Sequence, residues 1–304
     1  MTTIVPPPLV TGDTIAIIPT ARSIAADELA AGVALAESWG LKVRLGAGVG
    51  RKHFQQAGTT AERTADLQAA IDDPSVKAIW CARGGYGTVH LLDGLDTSPL
   101  HRDPKWIVGF SDITVLHNAL HGLGVASLHA QMPFNIAGKS EACKETLRQA
   151  LFGEPFTVSG GQGHRTGTSQ GVLVGGNLSL LYALRGTPYD IDPRGKILFL
   201  EDLDELRYHM DRMIQNLKLG GWFRDLEGLI IGGMTDMRDK NPDDPFGKEV
   251  EDMINEACAS QTYPVCYGFP AGHLDDNRAL VMGAKAKLSV TANGATLSFG
   301  DVVG

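Results

Sequence analysis

The sequence predicts an α/β domain built on a parallel sheet, followed by a smaller domain of mixed α+β type. Apolar runs alternate with amphipathic segments through the first half, the pattern of repeated β-α-β units. The second half mixes buried strands with helices and ends in two alternating runs joined by Asn-Gly, a hairpin signal. A stretch rich in Gly, Ser and Thr separates the halves. We therefore expect an α/β domain over 1–155, a linker over 156–170 and an α+β domain over 171–304.

Hydrophobic spacing predicts the individual elements of the first half. Strands are expected at 14–20, 42–45, 76–82, 106–110 and 125–130. Helices are expected at 26–39 and 61–71, with Thr60 in position to cap the second, and another helix should follow Ser111.

The second half opens with GVLVGGN and continues with strands and helices in turn. Strands are expected at 196–202 and 226–233, and helices at 204–219 and 247–259. The stretch from Arg278 to Phe299 should be β-structure.

Composition places the 304-residue chain among globular proteins with a sizeable core, since 43% of the residues are hydrophobic and 20% are charged. The net charge is −8 and no Lys/Arg-rich run occurs, which argues against nucleic acid and membranes as partners. The N-terminal MTTIVPPPLVTGD lacks the basic region of a signal peptide, and no apolar run is long enough for a membrane span. The four cysteines form no CxxC pair, so we expect reduced thiols and a cytoplasmic location.

Ser111 and Asp112 form a polar corner in the otherwise apolar VGFSDITVLHNAL, between a predicted strand and a predicted helix. Such a corner fits a nucleophile elbow, in which a tight turn lifts the hydroxyl off the sheet beside backbone N–H groups. The sequence departs from G-x-S-x-G, however. The local pattern alone favours a helix cap by Ser111 or Asp112, residue types preferred at that position.

A second turn, CARGGYG, places Gly84, Gly85 and Gly87 between a predicted strand and a helix. Glycines there let the backbone approach a ligand and present N–H groups. The turn matches neither the dinucleotide fingerprint nor the P-loop. It fits half of an oxyanion hole, or a turn that merely requires positive φ.

An acid and a base occur at comparable positions in the second half. Glu201 ends a buried strand, where open α/β sheets place their ligands, whereas the three carboxylates at 202–205 fit the N-terminus of the next helix. His273 lies in a Gly/Pro loop between two β segments. With Ser111, these residues supply the nucleophile, acid and base of a Ser-His-acid triad.

A metal site is the weaker alternative. His117 and His121 are spaced as in the zinc motif H-E-x-x-H, but Asn118 stands where that motif needs its glutamate. Strand and helix geometry would scatter the carboxylates of 201–205. We therefore expect no metal and no other cofactor.

Several motifs in order along the chain resemble the LD-carboxypeptidases, also called muramoyltetrapeptide carboxypeptidases. They are GDTIAIIPTAR, AGTTAERTADLQAAIDDPSVKAIWCARGGYG, GFSDIT, GGNLSLL, GKILFLEDL followed by RMIQNLKLGG, and GFPAGH. The resemblance spans nearly the whole chain, and the ordered series is more specific than any single motif. It implies a flavodoxin-like N-terminal domain, a smaller mixed C-terminal domain, a homodimer and no metal.

The resemblance also implies roles for particular residues. The nucleophile falls on Ser111, the acid on Glu201 and the base on His273, while backbone N–H groups of Gly85 and Asp112 are the implied oxyanion donors.

A carboxypeptidase must also hold a free carboxylate. Backbone donors of the turn around Gly84 and the guanidinium of Arg83 are the candidates, although Arg83 also fits a structural ion pair. Asn177, in GGNLS, would line the cleft or cap a helix. Thr20 stands where relatives often carry serine, and its role stays open.

The implied reaction is hydrolysis of the bond between an L-centre and a C-terminal D-amino acid. The implied substrate is the murein tetrapeptide, which loses D-alanine in cytoplasmic peptidoglycan recycling. The alternative is a microcin C self-immunity-type hydrolase of aminoacyl-adenylate analogues. Those enzymes usually need an added loop with an aromatic residue, and the stretch after GGNLSLLYALRGTPY is short. A muropeptide-binding module without catalysis would lack a triad member, and a nucleotide-dependent enzyme lacks its fingerprint here.

Overall fold

The computed structural model describes residues 3–300 of the chain. The described residues divide into two compact units. The first comprises 3–156, Asp275–Ala284 and Gly300, and the second comprises Thr157–Leu274 and Lys285–Phe299.

Strands and helices alternate through most of the chain. The strands are β1 Thr14–Ile18, β2 Lys42–Leu45, β3 Val76–Cys81, β4 Trp106–Gly109, β5 Ser127–His129, β6 Phe156–Gly160, β7 Gln162–Arg165, β8 Gly167–Asn177, β9 Lys196–Leu203, β10 Gly228–Thr235, β11 Val265–Tyr267, β12 Leu280–Met282, β13 Lys285–Thr291 and β14 Gly294–Phe299. The α-helices are α1 Ala30–Ser38, α2 Thr60–Asp72, α3 Pro99–Arg102, α4 Thr114–Leu123, α5 Glu141–Leu151, α6 Leu178–Ala183, α7 Arg207–Leu219 and α8 Val250–Ala257. Short 3-10 helices span Asp27–Leu29, Thr88–Leu91, Ser111–Ile113 and Ile136–Gly138.

The first unit is built on a sheet of six described strands in the order β12-β5-β4-β3-β1-β2. The first five strands of the chain are parallel, and β12 adds antiparallel to β5. Taken without β12, the order 2-1-3-4-5 is that of flavodoxin-like sheets, which confirms the expected fold class. Two tryptophans anchor the centre: Trp80 and Trp106 are buried, and each indole N–H donates to a backbone carbonyl, of Gln131 and Pro7.

The strand order of the first sheet reverses between β1 and β3, which lie side by side. The segments that follow β1, β3 and β4 leave the sheet at one edge, because these strands are parallel. In open α/β sheets, ligands bind outside the carboxyl ends of the strands at such a reversal.

The second unit contains a sheet of eight described strands in the order β6-β14-β13-β8-β9-β10-β11-β7. Strands β8, β9, β10 and β11 are parallel, and β13, β14 and β7 pair antiparallel with their neighbours. Helices α6, α7 and α8 contribute to one buried apolar cluster with β9 and β10. Its members include Leu178, Leu181, Leu198, Leu200, Met210, Ile214, Leu217, Ile231, Met253 and Ile254.

Two parts of the chain differ from the sequence expectation. Residues 156–170 form β6, β7 and the start of β8 rather than a linker. Buried and exposed residues alternate in β6, so one covered face needs few apolar side chains and the Gly/Ser/Thr content conceals the strand. Residues Asp275–Ala284 belong to the first unit, because β12 pairs with β5.

The cap of α2 lies one residue earlier than expected. Thr59, not Thr60, is the N-cap, and it forms a capping box with Glu62.

Within residues 3–300, no helix combines the length and the apolar character that a membrane crossing requires.

Candidate active site

Ser111 occupies a sharp corner between β4 and the helical segment that leads into α4. Its φ is 62°, a left-handed backbone conformation that a non-glycine residue adopts rarely and at a cost. The corner is tight, because a Cβ on Gly109 would lie 2.7 Å from Ile113 Cγ1. A strained strand-to-helix turn of this kind is the backbone arrangement of a nucleophile elbow.

The helix-cap interpretation of Ser111 and Asp112 is not supported. Phe110 and Ile113 hold the N-cap positions of the two consecutive helical segments, and neither segment has a side-chain cap hydrogen bond. The serine therefore has no helix-starting role that would explain its strained backbone.

The Asp112 carboxylate instead holds the glycine-rich turn. Asp112 is fully buried, and its Oδ2 accepts a hydrogen bond from the backbone N–H of Thr88 at 2.9 Å. Burial raises the pKa of Asp112, although hydrogen bonds from Thr88 and Gly87 counteract that effect. Its other oxygen, Oδ1, is buried without a hydrogen-bond partner. The residue after Ser111 thus ties the Ser111 corner to the segment that follows Gly87.

Arg63 fixes the same turn from helix α2. Its guanidinium is buried, and Nη1 donates to the carbonyls of Thr20 at 2.6 Å and Gly87 at 2.9 Å. The hydroxyl of Thr88 donates to that of Thr20 at 3.1 Å. Thr20, whose role the sequence left open, therefore links the end of β1 to the glycine-rich turn.

Glycines bring the turn against Ser111. A Cβ on Gly84 would lie 3.4 Å from the Ser111 Cβ and 3.5 Å from its Oγ. Gly85 and Gly87 have φ of 115° and 123°, which L side chains rarely adopt. Backbone groups of this turn therefore lie beside the Ser111 hydroxyl.

Arg83 precedes these glycines and is half-buried. Its guanidinium lies 4.1 Å from the centre of the Phe134 ring and donates to the Ser23 carbonyl at 3.3 Å. Burial lowers the pKa of Arg83, and the nearby Arg22 charge lowers it further. No carboxylate among the described residues forms an ion pair with Arg83, so the structural ion pair that its sequence context suggested is not found there.

Glu201 and His273 meet in the second unit. Glu201 is fully buried in β9, and its Oε2 lies 2.6 Å from Nδ1 of His273, whose side chain is 16% exposed. Such a short contact is typical of a charge-assisted hydrogen bond, in which the imidazole N–H donates to a carboxylate. The second Glu201 oxygen is buried without a hydrogen-bond partner. This is the arrangement in which an acid orients an imidazole.

The loop that carries His273 fits closely over Glu201. Gly272 has a φ of 100°, and a Cβ there would lie 2.7 Å from the Cβ of Glu201. The Thr235 hydroxyl, at the end of β10, donates to the His273 carbonyl at 2.9 Å. A glycine directly before a loop histidine is the sequence signal that could have identified Gly272.

Asp202, which directly follows Glu201 in the sequence, forms a separate polar pair with Asn177. Asn177 is the N-cap of α6: its Oδ1 accepts from Leu180 N–H at 3.2 Å, and its Nδ2 donates to Asp202 at 2.9 Å. Asp202 also accepts from the N–H and hydroxyl of Ser179. Burial, together with the Glu201 charge, raises the pKa of Asp202 to about 6. Asn177 therefore caps a helix, one of the two roles that its sequence context allowed. Asp202 was expected at the N-terminus of the helix that follows it, but its hydrogen bonds are made at the start of α6.

The sequence did not single out Arg63. The available signal was its position, because Arg63 lies four residues before Leu67 on the face of α2 that is buried through Ala70 and Ile71.

His117, from the HNALH segment, is buried, and both of its ring nitrogens lie within hydrogen-bond distance of core groups. Its Nδ1 lies 2.8 Å from the Ser127 hydroxyl and its Nε2 lies 2.9 Å from the Gly109 carbonyl. Burial lowers the pKa of His117 to about 4. Within the described part of the chain, no cluster of three or more His, Cys, Asp and Glu side chains could hold a metal ion.

Two family models match the chain. The model described as LD-carboxypeptidase N-terminal domain matches residues 15–130, and the model described as LD-carboxypeptidase C-terminal domain matches residues 170–288.

Several relatives match over nearly their whole length. A probable murein peptide carboxypeptidase of Bacillus subtilis is 35% identical over 95% of this chain and 92% of its own. A murein tetrapeptide carboxypeptidase of Pseudomonas aeruginosa is 33% identical over 90% and 92%. The solved structure of a muramoyltetrapeptide carboxypeptidase from Oxalobacter formigenes matches with a TM-score of 0.86 at 29% identity, covering 96% of this chain and 100% of that one. The microcin C7 self-immunity protein MccF shares the fold, with a TM-score of 0.88 at 20% identity over 99% and 100%.

Removing the Asp112 carboxylate should loosen the glycine-rich turn. Asp112→Ala leaves the buried Thr88 N–H without its acceptor and the Arg63 charge without a nearby carboxylate, so the free energy of unfolding should fall by about 1–3 kcal/mol. Asp96→Ala is the control, because Asp96 also accepts a backbone N–H, from Ser98, but on the surface. Urea denaturation gives the stabilities, and amide exchange at Thr88 gives the local effect. Equal losses in both variants, with Thr88 still protected, would contradict this account.

Gly272 should tolerate a methyl group far less well than Gly268 in the same loop. Both have positive φ, which costs an alanine about 1–2 kcal/mol, but nothing lies within 4 Å of a Cβ on Gly268. Gly272→Ala adds overlap with Glu201, so we expect it to lose about 1–3 kcal/mol more than Gly268→Ala. Denaturation of the two variants side by side measures the difference. Similar stabilities would mean that Glu201 does not require the glycine.

Proposed function

Because the chain belongs to the LD-carboxypeptidase family, we propose that it is a serine carboxypeptidase that releases the C-terminal D-alanine from murein tetrapeptides. We assign the reaction to peptidoglycan recycling in the cytoplasm. The observation that carries the proposal is the buried Glu201–His273 hydrogen bond, because it prepares an imidazole for proton transfer. The strained corner at Ser111 supplies a matching nucleophile.

The proposed triad is Ser111, His273 and Glu201. The Ser111 Oγ attacks the scissile carbonyl carbon, and His273 accepts the hydroxyl proton. Glu201 keeps the Nδ1 proton in place and stabilises the imidazolium. The C–N bond then breaks, His273 gives its proton to the leaving nitrogen of D-alanine, and the acyl group stays on Ser111. Water, activated by His273, hydrolyses this ester and restores the serine.

The proposed oxyanion donors are the backbone N–H groups of Gly85 and Asp112. Gly84 abuts the Ser111 hydroxyl, and Gly85 follows it in the turn. A donor of this type contributes roughly 3 kcal/mol to transition-state stabilisation. Asp112 would act twice, through its own N–H and through its carboxylate, which fixes the turn.

Arg83 and Gly84 are the proposed contacts of the substrate's free carboxylate. Both belong to the turn beside Ser111, and the described residues offer the Arg83 guanidinium no carboxylate partner. The side-chain contacts of Asn177 support a structural role instead, through Asp202 and α6.

A direct assay tests the proposal. The protein should release D-alanine from L-Ala-γ-D-Glu-meso-diaminopimelate-D-Ala, and Ser111→Ala should lose at least about a thousandfold in kcat, as expected for a missing triad nucleophile. Ser75→Ala is the control, because Ser75 precedes β3 at the opposite edge of the parallel sheet. Full activity in Ser111→Ala would refute the assignment.

The same preparation distinguishes the alternatives. Faster hydrolysis of an aminoacyl-sulfamoyl adenosine than of the tetrapeptide would favour the microcin-immunity reaction. Loss of activity with a chelator and its return with zinc would favour a metal mechanism.

A further inference from the structure

We propose that Arg22 and Arg83 form one site for the free C-terminal carboxylate of the substrate, and that Arg22 is therefore a specificity-determining residue. This inference rests on the proposed carboxypeptidase function, and it identifies the residues by which the enzyme recognises the free carboxylate at the end of a peptide.

Both arginines lie where the first sheet changes strand order. Arg22 follows the end of β1 and Arg83 follows the end of β3, and these two neighbouring parallel strands flank the reversal. Open α/β sheets bind ligands at this position.

Packing places Arg22 on the glycine-rich turn. A Cβ on Gly85 would overlap the Cγ and Cδ of Arg22, so the arginine stem lies directly over that glycine. Gly84, the preceding residue, lies against the Ser111 hydroxyl. The stem of Arg22 therefore packs on Gly85, and Gly85 directly follows the glycine that lies against Ser111, the proposed nucleophile.

The positive charges of Arg22 and Arg83 disfavour each other. The Arg22 charge contributes to the lowered pKa of Arg83, after burial. Among residues 3–300, neither arginine forms an ion pair with a carboxylate. The acidic residue that acts on Arg83, Glu28, has its own hydrogen bond from the Ala25 N–H at 2.8 Å. An anion held by both groups would relieve this repulsion.

The chemistry of the substrate matches this arrangement. In a C-terminal D-alanine, only three bonds separate the scissile carbonyl carbon from the carboxylate carbon, so the carboxylate must bind within a few ångströms of the nucleophile. Arginine presents a planar fork of N–H donors that fits a carboxylate, and stacking on Phe134 holds the plane of Arg83. Arg22 packs on the glycine-rich turn and Arg83 belongs to it, and Gly84 of the same turn lies against Ser111, so two guanidinium groups near this turn favour a substrate that ends in a free acid.

The test compares two substrates that differ only at the chain end: the tetrapeptide with a D-alanine acid and the same peptide ending in D-alanine amide. The measured quantity is the ratio of kcat/KM for acid over amide. Arg22→Met keeps most of the aliphatic stem over Gly85 and removes the charge, so the ratio should fall by about 10- to 100-fold, the effect of losing one charge-assisted hydrogen bond. Arg22→Lys should retain an intermediate ratio.

Arg102→Met is the matched control. Arg102 ends α3, which precedes β4, so it lies near the opposite edge of the sheet from the Ser111 corner. The Arg102→Met variant should have the same ratio of kcat/KM for acid over amide as the unmodified protein. An unchanged ratio in Arg22→Met, whether or not the two rates fall together, would overturn the inference.

A binding measurement separates this inference from the proposed function. In Ser111→Ala, calorimetry with the acid and amide tetrapeptides reports recognition without turnover. Tighter binding of the acid that is lost on adding Arg22→Met supports the carboxylate site, even if the unmodified protein released no D-alanine and the proposed reaction failed. Equal binding of both peptides would refute the site while leaving D-alanine release to be judged by its own assay.

Discussion

The hydrogen bond between Glu201 and His273 is the constraint on which the second unit's site depends. A fully buried carboxylate loses its hydration, and it is tolerated only when a hydrogen bond or charge compensates. This requirement fixes the His273 loop, and it explains the glycine at 272, because any side chain there would occupy the space of Glu201. The Thr235 hydroxyl then secures the loop from the neighbouring strand. Stability and imidazole orientation therefore have one physical cause.

The first unit uses the same kind of constraint around Ser111. Asp112 and Arg63 are both buried, and each uses its charged group to hold backbone atoms rather than to face solvent. Their hydrogen bonds join the ends of three loops, after β1, β3 and β4, into one framework. That framework supports the strained φ of Ser111, since isolated strain of this type costs roughly 1–3 kcal/mol. In each unit, then, a buried carboxylate determines the backbone conformation nearby: Asp112 holds the segment after Gly87, and Glu201 requires a glycine at position 272.

Much of the fold could be predicted from the sequence because its strands are strongly apolar and regularly spaced. The expected strand at 76–82 matches β3 apart from its last residue, and the parallel alternation gave the correct fold class. Residues 156–170 were misjudged, because a strand with one exposed face needs few apolar residues. The pairing of Glu201 with His273 joins positions 72 residues apart, so local patterns supplied the residue types and the triad hypothesis that combines them, and the resemblance implied the same assignment. Arg63 escaped attention because a charged residue on a helix is usually assigned to solvent.

The most direct test asks whether His273 acts on the side chain at position 111. Ser111→Cys introduces a thiol, and the four native cysteines are all buried, so alkylation by iodoacetamide reports mainly on the new group. At pH 6 an isolated thiol is only about 0.3% thiolate, whereas a thiol paired with an imidazolium is largely ionised. We predict rapid alkylation at pH 6 that slows by at least about tenfold when His273→Ala is added. Equal alkylation rates with and without His273 would contradict the proposed triad.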